Sequence, residues 1–174
     1  MKKYSTILFD LDGTLTDSSK GIINSIIYAL KKYDINDYDM LLLKKFLGPP
    51  LHESFEKYFG FDKEKSLQAV KFYREYFSTK GLLENEVYCG VNDLLQNLRE
   101  NGKTLIVATS KPQPFTDRIM EHFDLAKYFD FIAGSNMDTT RSKKAEVIEY
   151  ALSECNIKDK SKIVMIGDRA EDMI

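Results

Sequence analysis

The feature that most constrains the fold is the alternation of strand and helix patterns in the second half of the chain. Apolar runs at 104–109, 129–133 and 162–166 predict buried strands, and they alternate with helix patterns over 91–101, 114–122 and 143–155. Buried strands that alternate with helices are typical of a mostly parallel sheet. Residues 4–9 form one further apolar run, which predicts another strand. The predicted fold class is therefore α/β, with a Rossmann-like, mostly parallel sheet.

The region between the first predicted strand and Gly90 has helix patterns throughout. They begin at Ser18 or Ser19 and continue over 39–46, 51–59 and 63–79. We therefore predict an all-helical domain at residues 16–84, inserted into a discontinuous α/β core of residues 1–15 and 85–174. Aromatic residues are frequent in the insert, and their helical spacing favours the core of a helix bundle over an aromatic ligand cage.

The composition excludes several classes of protein. The chain has 174 residues with a net charge of −2, which argues against a basic surface for a nucleic acid polymer. Its two cysteines, Cys89 and Cys155, are too few for a disulfide framework, so a reduced, cytoplasmic protein is expected. The N-terminal apolar run is interrupted by Asp10 and Asp12, which argues against a signal peptide. No apolar run approaches the length of a membrane span, so no membrane partner is expected.

Polar residues follow three of the predicted strands at the point where each strand ends. They are Asp10 and Asp12 after the first strand, Ser110 and Lys111 after the second, and Asp168 and Asp172 after the last. In open α/β sheets, ligands bind at the carboxyl ends of the strands. Neighbouring carboxylates are costly unless a cation or a shared proton offsets their repulsion. This pattern indicates a divalent metal, acid chemistry, or both.

The same residues carry a resemblance to a known family. The run from Asp10 to Ser18, Asp-Leu-Asp-Gly-Thr-Leu-Thr-Asp-Ser, resembles the first motif of the haloacid dehalogenase (HAD) superfamily of phosphatases. A Ser or Thr after the second core strand, a Lys at the start of a later helix and Gly-Asp-x-x-x-Asp follow in the order typical of that family. The helical insert lies where the superfamily places its cap domain. The resemblance therefore implies a HAD-like core with a helical cap.

The resemblance also implies catalytic roles. Asp10 would be the nucleophile that attacks phosphorus and forms an aspartyl-phosphate. Asp12 would be the acid and base, because it would protonate the leaving oxygen and later activate water. Lys144 would offset negative charge on the nucleophile and on the transferring group. Adjacent Lys143 is the alternative for that last role.

A magnesium site is implied by the same motifs. Asp10 and Asp168 would bind Mg²⁺ through their side chains, and Asp12 would bind it through its backbone carbonyl. Asp172 would orient the metal shell, directly or through water. Taken alone, Asp168 and Asp172 have a simpler explanation as turn residues.

Four further residues are expected to contact the substrate. They are Ser110, Lys111, Arg141 and Gly48. Ser110 has an alternative as a cap of the following helix, and Arg141 has one as a cap of a neighbouring carbonyl. Gly48 belongs to the stiff Gly-Pro-Pro loop of residues 48–50, which either covers the active site or forms a plain turn between helices.

The resemblance narrows the activity. Dehalogenases of the superfamily lack an acid at the position of Asp12, so Asp12 argues for phosphoryl transfer. The helical cap and residues 141–152 resemble the phosphoglycolate phosphatase or 5′-nucleotidase branch. A small phosphorylated metabolite is the expected substrate, and a monomer or weak homodimer is the expected state. The alternatives are β-phosphoglucomutase-like phosphoryl transfer and a non-catalytic binding module.

The end of the sequence carries one more expectation. Family members continue past the last motif with a helix and another strand, whereas this sequence stops at residue 174. The resemblance therefore predicts a truncated chain, with completion of the sheet by a partner as the alternative.

Overall fold

A computed structural model describes residues 3–138 and 140–172 of the chain. Residues 1–2 of the basic N-terminus, and residues 173–174, on which the expectation about the chain end depends, lie outside the described residues. Two compact units are present: Met1–Asp17 with Glu86–Ile174, and Ser18–Asn85. The insert predicted at 16–84 begins two residues earlier than the second unit and ends one residue earlier.

Strands and helices follow one another in the order that the alternating pattern predicts. The strands are β1 (Thr6–Phe9), β2 (Thr16–Asp17), β3 (Glu86–Val87), β4 (Thr104–Pro112), β5 (Phe131–Ser135) and β6 (Ile163–Ile166). The helices are α1 (Ser19–Lys31), α2 (Met40–Lys44), α3 (Leu51–Phe59), α4 (Lys63–Tyr76), α5 (Val91–Glu100), α6 (Gln113–His122) and α7 (Lys144–Glu154). Among the described residues, no helix has both the length and the apolar character needed to cross a membrane.

The first unit contains a four-stranded sheet in which every pairing is parallel. Its order is β5-β4-β1-β6, so β1 lies between β4 and β6. This confirms the predicted parallel α/β sheet. The central position of β1 explains why all four of its residues are buried. It also brings the ends of β4 and β6 to the two sides of the residue that follows β1.

A hydrophobic core fixes α7 against the sheet. Val147 and Ala151 of α7 pack in one cluster with Leu8 of β1, Ile106 of β4 and Ala133 of β5, and all five are fully buried. Burial of a side chain such as Val147 contributes about 1.5–3 kcal/mol to folding. This packing holds the first residue of α7, Lys144, at the same edge of the sheet as the end of β1.

The second unit is helical, as the sequence predicts. Its aromatic rings contact one another in edge-to-face and stacked pairs, and the buried Phe46 and Phe55 rings lie 5.1 Å apart. The ring of Phe55 stacks on that of Phe61 at 5.8 Å. These contacts agree with a bundle core rather than a ligand cage. The helix predicted at 51–59 is present as α3, which ends at Gly60 with φ of 64°.

Three features of the first unit differ from the sequence expectations. β4 continues to Pro112, past the strand predicted at 104–109, so Ser110 and Lys111 lie within the strand and not after it. β5 begins at Phe131, two residues later than the strand predicted from 129, because the carboxylate of Asp130 is bound by Arg99 and by the N–H of Leu105. β2 and β3 form an antiparallel pair that the sequence does not predict. Strands of two residues are too short to leave a periodic pattern.

Candidate active site

Asp10 follows the central strand and is the residue around which the site is built. Its backbone N–H donates to the carbonyl oxygen of Ile166 at the end of β6, over 2.9 Å. Asp10 is 4 % exposed. The N–H of Leu11 donates to Oδ1 of Asp10 over 2.8 Å, which holds the carboxylate in one orientation. Asp10 is therefore a buried carboxylate with a defined geometry at the carboxyl end of the sheet.

Lys144 joins Asp10 to Asp172. Its Nζ lies 2.8 Å from Oδ1 of Asp10 and 2.8 Å from Oδ1 of Asp172, and all three side chains are buried. The same Nζ donates to the carbonyl oxygen of Ala108 over 3.1 Å. Lys143, the alternative, is exposed. The geometry therefore places Lys144 in the site and Lys143 at the surface, and the catalytic role of Lys144 stays a prediction.

The charge on Asp10 is only partly compensated. Burial raises the pKa of the Asp10 carboxyl above its usual value of 3.8, although the charge and hydrogen bond of Lys144 and hydrogen bonds from Thr109 and Leu11 oppose the shift. The ionised carboxylate therefore costs free energy with these partners alone. A further cation at the site would favour the ionised form.

Three carboxylates, including that of Asp10, lie close enough together to bind one metal ion. Asp10, Asp168 and Asp172 each offer an oxygen, and these oxygens lie within 4.8 Å of one another. Asp10 and Asp172 are buried, whereas Asp168 is exposed. An all-oxygen donor set fits a hard divalent cation such as Mg²⁺. The residues present therefore fit the magnesium ion that the sequence predicts.

Asp12 has a different environment. Its Oδ2 lies 2.6 Å from Nζ of Lys111, and both side chains are largely buried. Its Oδ1 is buried and has no hydrogen-bond partner within the part of the chain that the structure describes. A buried carboxylate oxygen without a partner is costly, so a ligand that binds to it would be favoured. This geometry suits the acid and base role predicted for Asp12.

The structure corrects the prediction of Ser110 as the hydroxyl-bearing residue of the site. Ser110 is exposed, whereas Thr109 is 2 % exposed and hydrogen bonds to Asp10. Successive side chains of a strand point to opposite sides, so Thr109 and Lys111 lie on one side of β4 and Ser110 lies on the other. Ser110 is the first polar residue after the predicted strand, whereas Thr109 is the last residue of that strand, so the sequence prediction missed Thr109. The alternation within Thr109-Ser110-Lys111 was the signal that could have found it.

The other two predicted substrate contacts are Arg141 and Gly48. The guanidinium of Arg141 donates from Nη2 to the carbonyl oxygen of Gly134 over 3.2 Å, and its Cζ lies 3.7 Å from the centre of the Tyr150 ring. Arg141 thus has the carbonyl contact that was its alternative. Gly48 lies in the second unit, between α2 and α3, with φ of 121°. Substrate contacts by Arg141 and Gly48 stay predictions.

Gly13, three residues after Asp10, leaves room for the exposed carboxylate of Asp168. Gly13 has φ of +85°, and a Cβ atom there would lie 2.4 Å from Oδ2 of Asp168. Atoms this close overlap, so Asp168 occupies the space that a side chain at position 13 would need.

Replacing Gly13 with alanine is therefore expected to weaken Mg²⁺ binding about tenfold or more, because Asp168 must leave its place in the cluster. The measurement is the rise in unfolding temperature with Mg²⁺ concentration. Gly102→Ala is the matched control, since Gly102 has φ of +67° but no described atom lies within 4 Å of the point that its Cβ would occupy. Equal Mg²⁺ affinity in the two variants would contradict the expectation.

The fold and the site together define a class of protein: an α/β enzyme domain with an acidic cluster and a buried lysine at the carboxyl edge of a parallel sheet. The family model of haloacid dehalogenase-like hydrolases matches residues 7–174. The chain belongs to this family.

Relatives of the chain agree with this assignment. A 5′-nucleotidase of Pseudomonas aeruginosa is 43 % identical over 172 residues, which are 99 % of this chain and 77 % of the relative. The tyrosine-protein kinase PtkA of Mycobacterium tuberculosis is 37 % identical over 167 residues, 96 % of this chain and 56 % of the relative. The crystal structure of "a predicted phosphatase from Clostridium acetobutylicum" has 51 % identity and a TM-score of 0.88, covering 97 % of this chain and 78 % of that one.

These findings confirm three predictions made from the sequence. The family is the one that the motifs indicate, the core has the HAD-like α/β fold, and the chain is a hydrolase of the phosphatase class.

Proposed function

We propose that the chain is a magnesium-dependent phosphomonoester hydrolase that works through an aspartyl-phosphate on Asp10. The observation that carries the proposal is the position of Lys144 between Asp10 and Asp172, with Asp168 completing a cluster of three oxygen ligands. Phosphoryl transfer to a carboxylate requires a positioned nucleophile, a cation beside it and oxygen ligands close enough together to bind a metal ion.

In the first step, a carboxylate oxygen of Asp10 forms a bond to phosphorus, and the bond from phosphorus to the leaving oxygen breaks. Asp12 donates its proton to that oxygen, which leaves as an alcohol. In the second step, Asp12 takes a proton from water, and the resulting hydroxide attacks the phosphorus. Inorganic phosphate leaves, and the Asp10 carboxylate is restored. The unpartnered Oδ1 of Asp12 supports its role in both proton transfers.

The remaining groups hold and neutralise the reacting atoms. Lys144 and the Leu11 N–H both bind Oδ1 of Asp10, so the carboxylate cannot rotate freely before attack. Lys111 pairs with Asp12, and its positive charge would attract a phosphoryl group at the site. Mg²⁺, held by Asp10, Asp168 and the backbone carbonyl of Asp12, with Asp172 orienting its shell, would neutralise charge on the phosphoryl group.

The candidate substrates are chosen from the resemblance and from the relatives. The 43 % identical 5′-nucleotidase supports a nucleoside 5′-monophosphate as the first candidate substrate. Phosphoglycolate is the second candidate, because the helical insert and residues 141–152 resemble the phosphoglycolate phosphatase branch. The 37 % identity to a tyrosine-protein kinase adds phosphotyrosine to the compounds that need testing.

The test is phosphate release from a panel of phosphomonoesters by the purified chain. We expect release from at least one nucleoside 5′-monophosphate or from phosphoglycolate with Mg²⁺ present. We expect none with EDTA, because the uncompensated carboxylates would repel the phosphate. The panel also includes phosphotyrosine, and glucose 1-phosphate with glucose 6-phosphate as a readout of mutase activity. No phosphate release from any compound with Mg²⁺ would overturn the proposal.

A further inference from the structure

The backbone of Tyr88 is fastened to the loop that follows the proposed nucleophile. The N–H of Tyr88 donates to the carbonyl oxygen of Leu15 over 3.1 Å, beside the antiparallel pair of Thr16 and Val87. The N–H of Gly13 donates in turn to the carbonyl oxygen of Thr16 over 2.8 Å. These bonds give Tyr88 a fixed position relative to the loop of residues 11–16.

The Tyr88 side chain lies close to the carboxylates of the site. The carboxylate of Asp168 lies against Gly13 of the same loop. Partial burial raises the pKa of the Tyr88 hydroxyl, and the negative charges of Asp17, Asp168 and Asp12 raise it further. The Tyr88 hydroxyl is therefore within electrostatic reach of these three carboxylates.

Tyr88 is open to solvent, as is one member of the carboxylate cluster. Tyr88 is 40 % exposed, and Asp168 is the exposed member of the cluster, whereas Asp10 and Asp172 are buried. The ring of Tyr88 does not complete the hydrophobic core. Its placement therefore leaves an aromatic surface next to the entrance of the cluster.

We propose that Tyr88 is a specificity-determining residue that contacts the organic group of the substrate. The proposal rests on the proposed function, because a phosphoester that presents phosphorus to Asp10 directs its organic group away from the buried side of the cluster. An aromatic ring stacks on flat ring systems and covers little of a short aliphatic acid. Tyr88 therefore favours a nucleoside as the leaving group over a small group such as glycolate.

The test compares adenosine 5′-monophosphate with 2-phosphoglycolate in steady-state kinetics with Mg²⁺. In Tyr88→Ala, the ratio of the KM for the nucleotide to the KM for phosphoglycolate is expected to rise about tenfold, the size of one stacking contact. Tyr88→Phe keeps the ring, so its ratio is expected to stay within about twofold of the wild type. Leu94→Ala is the control for loss of an exposed apolar side chain, since Leu94 on α5 is 44 % exposed, and neither KM is expected to change.

Several results would overturn the proposal. An equal rise of both KM values, or a fall in kcat alone, would show that Tyr88 acts on the fold or the chemistry. Equal losses in Tyr88→Phe and Tyr88→Ala would assign the effect to the hydroxyl rather than the ring. Unfolding temperatures of all variants separate these results from misfolding.

Failure of the proposed function is recognised separately, because the wild type would then release phosphate from neither compound. In that case calorimetric titration of adenosine 5′-monophosphate with Mg²⁺ decides the question. A Kd about tenfold weaker in Tyr88→Ala would support the contact. An equal Kd, or no binding to the wild type, would overturn it.

Discussion

Replacing Asp10 with asparagine is expected to lower phosphate release by on the order of 10⁴-fold or more, because an amide cannot attack phosphorus as a carboxylate does. The side chains have nearly the same shape, so the fold is expected to persist. The measurement is kcat with the best substrate of the panel, together with circular dichroism. Retention of most of the activity would show that another residue is the nucleophile.

The same substitution is expected to stabilise the metal-free protein at neutral pH. Burial raises the pKa of the Asp10 carboxyl in the folded state above 3.8, so folding favours the protonated form. Stability from this group is fully present below its unfolded pKa and is lost as pH rises through the folded pKa. Asparagine does not ionise, so the Asp10→Asn protein does not lose this stability as pH rises. In EDTA at pH 7, Asp10→Asn should therefore unfold at a higher temperature than the wild type, with a difference that narrows as pH falls.

An exposed aspartate supplies the control for this pH dependence. Hydrogen bonds from Ser161 and Lys162 lower the pKa of the Asp159 carboxyl, which is the opposite shift. Asp159→Asn is therefore expected not to raise the unfolding temperature at pH 7. If Asp10→Asn lowered the unfolding temperature in EDTA, the partners of Asp10 would outweigh its burial.

Lys144→Met is expected to reduce both stability and activity. Methionine keeps the apolar part of the side chain, but Asp10 and Asp172 lose the buried cation that lies 2.8 Å from each. Breaking a buried ion pair by removing one partner lowers the free energy of unfolding by about 3–5 kcal/mol. Phosphate release is also expected to fall by on the order of 10²-fold or more, because the charge beside the transferring group is lost. Urea denaturation and the phosphate assay measure the two effects.

Lys143→Met is the matched control for this substitution. Lys143 is the preceding residue and is exposed. The start of α7 is stabilised by the Glu146 carboxylate, which accepts hydrogen bonds from the N–H groups of Ser142 and Lys143, and the substitution leaves these bonds in place. The free energy of unfolding is therefore expected to change by less than about 0.5 kcal/mol. Loss of activity in Lys143→Met with retention in Lys144→Met would reverse the assignment.

Much of the fold could be predicted because long elements leave periodic patterns. The helix predicted at 51–59 is α3, and the strands of the parallel sheet lie close to the apolar runs. The start of β5 could not be predicted, because Asp130 is held by Arg99, which is distant in sequence. The β2–β3 pair was missed for a similar reason, since its two strands lie about seventy residues apart and each has only two residues.

The residues of the site also divide into those that the sequence predicts and those that it does not. Asp10, Asp12, Asp168 and Asp172 follow strand ends, which the apolar runs locate. The choice of Thr109 over Ser110 depends on which side of β4 faces Asp10, and a shift of one residue reverses that side. The placement of Lys144 rather than Lys143 depends on the rotation of α7, which the packing of Val147 and Ala151 sets.

The sequence by itself therefore determined the family, the parallel α/β core and the acidic residues of the site, because local apolar periodicity and short motifs encode them. Only the tertiary structure decided which neighbouring side chain enters the site, which carboxylate oxygens pair with a lysine, and that the backbone of Tyr88 is bound to the loop after Asp10. These outcomes depend on strand register and helix rotation, and both are set by packing between residues far apart in the chain.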